Sequence, residues 1–182
     1  MTVARMLVSP EFAAWIVNGI NAKGGPPDSR SESERFAEHE REVMDRTNGI
    51  HAAGGRLNIP WPGAMGTPPW GAEKELEYGA ARPGAAYRMR LVRVGSIGAL
   101  REAYGELVSL VHEGLPALLY IGNSLSPRHV TLVLPGEGGA QLDVYDPATG
   151  SVTDLAPDRF AGRTLGIAGW NVPWITVQSR KS

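Results

Sequence analysis

The sequence predicts an α+β domain, with amino-terminal helices packed on a mostly antiparallel carboxy-terminal sheet. Two observations carry this. Apolar residues recur at helical spacing within 1–113, and from Pro116 onward the text turns to short β runs: "ALLYIG", "HVTLVLP", "AQLDVYDP" and "PWITVQ". A length of 182 residues, 42% hydrophobic and 20% charged, suits one domain over 1–182. Its mainly helical part is 1–113, with a long irregular loop at 50–71, and its sheet part is 116–178.

Taken in order, residues 2–8 are helical, with Val3, Met6 and Leu7 in one stripe and no cap at the start. "SPEF" opens a second helix, with Ser9 as N-cap, Pro10 at the first position and Glu11 in the first turn. "NAKGGPPDSR" is a loop. "SESERFAEHEREVMDRTNG" is a polar helix, opened by a Ser31–Glu34 capping box and stopped at Asn48-Gly49. The irregular loop holds Trp61, Trp70 and four prolines, and the short helix "AEKELEYG" follows it. "YRMRLVRV" is a strand with Tyr87, Met89 and Leu91 on one face and Arg88 and Arg90 on a solvated one. "IGALREAYGELVSLVHEG" is the clearest helix, its stripe of Leu100, Tyr104, Leu107, Val108 and Val111 ending at Gly114 and Pro116. "TLGIAG" is a further candidate strand.

Composition excludes several function classes. A net charge of −1 gives no general attraction to nucleic acid or to an anionic membrane. No apolar run reaches the ~20 residues of a spanning helix, and the start is a poor secretory signal. The chain as it stands therefore reads as cytoplasmic; a start lying upstream would allow secretion. The absence of cysteine excludes disulfides, thiolate metal sites and thiol catalysis by these residues.

The segment "SPRHVTLVLPGEGGAQLDVYDPATG" reads as a hairpin turning at "GEGG", near residue 138. Pairing about that centre sets His129 opposite Asp146 or Pro147, within reach of a hydrogen bond. A carboxylate on one imidazole nitrogen fixes the tautomer and frees the other nitrogen as a base. The plainer alternative is that Asp146 only satisfies the backbone of a "DPATG" turn. As a metal site the pair is poor: His39, His51 and His112 lack ligand spacing to it, and "HEGLP" is not a zinc-protease motif. No metal and no cofactor is expected.

With those residues in view, "PRHVTLVL…LDVYDPATG…F" resembles the carboxy-terminal half of papain-like cysteine peptidases of the bacteriocin-processing, double-glycine type. The resemblance implies a papain-like fold, a bacterial source, cleavage of peptide or isopeptide amide bonds, His129 and Asp146 as catalytic partners, and Phe160 packed beneath them. It also implies a nucleophilic cysteine at the start of the first helix, toward which both side chains would look, and here the cysteine is missing. Three explanations are open: an amino-terminally shortened chain, a pseudoenzyme that binds without cutting, or a hydroxyl nucleophile (Thr2 after removal of Met1, or Ser124 or Ser126). The first two make the chain inactive in this form. In the pseudoenzyme case a groove lined by Trp61, Trp70 and Trp170 would bind a peptide or protein, although core packing is the ordinary role of tryptophan.

Overall fold

The computed structural model of the chain describes residues 1–22, 24–48, 67–77 and 85–180, and the backbone of 52–53 and 56–57. The helices are α1 (Thr2–Val8), α2 (Pro10–Asn18), α3 (Glu32–Asn48), α4 (Pro69–Glu75), α5 (Ile97–His112) and α6 (Pro157–Gly162). Strands β1 (Ala52–Ala53) and β2 (Arg56–Leu57) form a separate two-stranded antiparallel sheet. The main sheet contains β3 (Tyr87–Leu91), β4 (Ala117–Gly122), β5 (Pro127–Pro135), β6 (Leu142–Asp146), β7 (Ser151–Asp154) and β8 (Val172–Ser179). Its order is β3-β8-β4-β5-β6-β7, antiparallel throughout. The fold is thus α+β.

Local chemistry places the helix ends. Ser9 Oγ accepts the N–H of Phe12 at 3.2 Å, and Gly19, at φ +73°, closes α2 in the left-handed conformation. Ser31 and Glu34 exchange hydrogen bonds, Ser31 N–H to Glu34 Oε2 at 2.8 Å and Glu34 N–H to Ser31 Oγ at 3.3 Å. The start of α1 has no local cap. Its Thr2 N–H donates instead to Glu40 Oε1 of α3 at 2.8 Å, so a carboxylate from another helix stands at its positive end.

The sheet is covered on both faces. On one, Leu119, Ile121, Val133, Leu142 and Val144 form a core with Leu100 and Leu107 of α5 and Phe160 of α6. On the other, Leu118, Tyr120, Leu132 and Val177 pack against Ala4 of α1 and Ala72 of α4. Successive residues of a strand point to opposite faces, so the two cores interleave along β4 and β5.

Three sequence expectations are corrected. "TLGIAG" is not a strand: Gly166, Ala168 and Gly169 have φ of +67°, +51° and +80°, and only an isolated bridge joins Ile167 to Trp170. The short helix begins at Pro69 rather than Ala72, so Trp70 belongs to α4 and not to the irregular loop. Strand β7 and helix α6 were not foreseen. Trp61, His51 and Gly49 lie outside the described residues.

Candidate functional site

His129 enters near the start of β5, paired with Ile121 of β4, and the register slips before Gly122 pairs with Pro127. Only glycine fits at that slip, because a Cβ on Gly122 would lie 2.1 Å from the Ser126 carbonyl oxygen. Asp146 is the last residue of β6. Between them Nε2 of His129 lies 2.6 Å from Oδ1 of Asp146. The side chains are 19% and 6% exposed, which leaves the imidazole, not the carboxylate, within reach of solvent.

The carboxylate has other partners. Oδ1 accepts the Ala148 N–H at 2.9 Å, and Oδ2 accepts the Thr149 hydroxyl at 3.2 Å; Thr149 Oγ1 is in turn 2.7 Å from Ser151 Oγ. Burial pushes the Asp146 carboxyl up, but the Ala148 N–H and the hydrogen bond and charge of His129 outweigh it, and the net shift is downward. Asp146 is therefore ionised and accepts from Nε2–H, so the lone pair of a neutral ring sits on Nδ1. Among the described residues Nδ1 has no hydrogen-bond partner. The two roles left open for Asp146, turn closure and imidazole partner, are filled by the same carboxylate.

Strand parity decides which way the pair faces. His129 is level with Ile121, and Asp146 follows Leu142 and Val144 at every second residue, all on the face covered by α5 and α6. Met1, Val3 and Ala4 pack on the other face, with Leu118, Tyr120 and Val130. The expectation that both side chains look toward the start of the first helix is therefore corrected: the sheet lies between them. Phe160 is on the pair's side, in contact with Tyr104 at a ring separation of 5.9 Å.

Among the described residues no hydroxyl is hydrogen-bonded to His129. Ser126 Oγ is buried and has no partner among the described residues, and Ser124 is exposed. Thr2 belongs to a separate polar cluster that sequence reasoning missed. Its Oγ1 is 2.9 Å from Nδ1 of His39, whose Nε2 is 3.1 Å from Arg5 Nη1. A guanidinium can only donate, so Nε2 accepts and the neutral ring donates from Nδ1 to Thr2. His39 is thereby prevented from acting as a base toward that hydroxyl. Burial, then the charges of Arg5 and Arg46, lowers its pKa.

Of the three predicted tryptophans, the two described residues, Trp70 and Trp170, are not brought together. Trp70 lies in α4, which packs on one face, whereas Trp170 is partly buried against the core of the other. A cleft of about 110 Å³ does open beside α1, lined by Met1, Val3, Phe36, Val130, Tyr145 and Glu40 among others. Among the described residues no group of three or more His, Cys, Asp or Glu is placed to hold a metal ion, and no helix is long and apolar enough to cross a membrane. No family model, no curated protein and no solved structure matches the chain.

Proposed function

We propose that this chain is a thiol-hydrolase-like scaffold that carries an imidazole–carboxylate base and, lacking any cysteine, does not itself cleave amide bonds; because the pair lies across the sheet from α1, it departs from the papain-like arrangement, and a nucleophile would have to approach from the α5 side. The observation that supports it is the 2.6 Å bond between His129 and Asp146, which turns the basic nitrogen Nδ1 away from the carboxylate. A base of this kind accelerates acyl transfer only when a nucleophile is supplied to it. The test is to supply one. With an activated acetyl ester and 2-mercaptoethanol, the protein is expected to speed thioester formation, and His129→Ala to abolish the effect. Turnover of a peptide amide without added thiol, or a thiol-dependent rate unchanged in His129→Ala, overturns the proposal.

The second reading is a non-catalytic peptide- or partner-binding module. What favours it is the cleft beside α1, which is mostly apolar, carries the Glu40 carboxylate, and lies across the sheet from the pair. Peptide binding that survives His129→Ala but fails when Val130→Asp fills the cleft wall with charge would favour this reading over the first.

A further inference from the structure

At the end of the sheet where β3 stops and β4 turns into β5, a hydrogen bond from Arg93 to the Ser124 carbonyl joins two short segments, residues 91–97 and 123–126. Four large aliphatic side chains are exposed there, Leu91 by 54%, Val94 by 76%, Ile97 by 55% and Leu125 by 83%. Their presentation is built, not loose. Asn123 Oδ1 accepts the N–H groups of Leu125 and Ser126 at 2.8 and 2.9 Å, which fixes the backbone that carries Leu125. Arg93 donates to the Ser124 carbonyl at 3.1 Å and lies 5.4 Å over the Trp174 ring; Trp174 Nε1 donates to the Asn123 carbonyl at 2.8 Å. Arg163, just after α6, donates to the Arg93 carbonyl at 3.1 Å and locks the first segment in turn.

The two segments carry Arg93, and Arg128 follows the second, with no Asp or Glu in either, although the chain as a whole has a net charge of −1. Asp146 is buried on His129, and the exposed Asp158 is paired with Arg101. Exposed aliphatic groups among arginines and a tryptophan have the composition of an interface centre.

We propose that this rim docks an acidic, leucine-bearing peptide segment of a partner protein. Such a segment supplies carboxylate and carbonyl acceptors for the arginines and apolar side chains for Leu125, Val94, Ile97 and Leu91. A bilayer surface answers the charge and the apolar tips but offers only mobile headgroups to Arg93, whose guanidinium is held over the Trp174 ring. The proposal does not depend on the hydrolase reading, since His129 faces the sheet's α5 side and takes no part in it.

The experiment titrates the whole chain with a synthetic peptide of repeated Glu-Glu-Leu, followed by the Trp174 indole N–H signal in NMR. Binding is expected to weaken with salt and to fall roughly tenfold or more in Val94→Asp/Leu125→Asp. Both replaced side chains are exposed, and circular dichroism confirms that the variant is folded. A Lys-Lys-Leu peptide is expected not to bind. No binding of the acidic peptide, equal binding by the double variant, or capture of phosphatidylglycerol vesicles in place of the peptide overturns the proposal.

Discussion

His129 and Asp146 are bonded diagonally across the ladder, not as a direct pair. The last pair of β5 and β6 is Leu132 with Tyr145, so one step further Asp146 falls level with Thr131, two residues from His129 on the same face. The bond therefore spans the point where β5–β6 pairing ends, and it ties the strand end to the following turn.

Asp146→Asn should weaken both attachments. Charge-assisted hydrogen bonds contribute about 1.5–3 kcal/mol, so a loss of that order is expected in urea denaturation at pH 7. Folding lowers the Asp146 pKa, so its contribution is present above its ordinary 3.8 and is lost as the pH falls through the lowered folded value. The variant's stability should be flatter across that acid limb than the wild type's.

Three tyrosines make a second test. Tyr104 and Tyr120 donate their hydroxyls to the carbonyls of Leu155 and Thr67, each at 2.7 Å. Tyr87 is fully buried, its hydroxyl has no partner among the described residues, and burial pushes it up to about 12. Tyr104→Phe and Tyr120→Phe should each cost about 1 kcal/mol, whereas Tyr87→Phe should be neutral or stabilising. Equal losses in all three thermal melts would refute the assignment.

His39 sets a pH dependence at the seam between α1 and α3. It faces Arg5 from α1 and Arg46, Glu40 and Glu42 from α3, with the Phe12 ring of α2 at 4.6 Å. Burial, Arg5 and Arg46 lower its pKa below the ordinary 6.5, so the unfolded chain takes up the proton first. Stability should be complete above that value and decline as the pH falls below it. In His39→Gln, which cannot be protonated, denaturation midpoints should lose this dependence; an unchanged slope contradicts the neutral ring inferred above.

Gly122→Ala should disturb the pair from outside it. The new methyl would lie 2.1 Å from the Ser126 carbonyl and 2.8 Å from Pro127 Cα, both backbone atoms. A loss of roughly 1–3 kcal/mol is expected, together with a shifted His129 ring signal in NMR. A silent substitution would mean that the β4–β5 slip is not held as described.

Legibility in the sequence followed range. The α5 stripe, the Ser9 cap and the Ser31–Glu34 box depend on neighbours within a turn or two, and each was readable. That His129 and Asp146 meet was readable from one short hairpin turn, but their expected direct opposition was not, because the register sets Asp146 level with Thr131. Strand β7 was not: all four of its residues are exposed, so no alternation marks it. Nor was the Thr2–His39–Arg5 cluster, whose members meet only through helix packing. The face of the pair needed the parity of β4 and β5 together with the knowledge of which helix covers which side. Spacing within one segment contains neither.

A seven-residue helix is too short to persist by itself in water. With the anion at its leading end borrowed from Glu40, α1 has no conformational life apart from α3. Whatever pries those two helices apart must therefore also unwind the first, and amide exchange along Thr2–Val8 should rise as one unit.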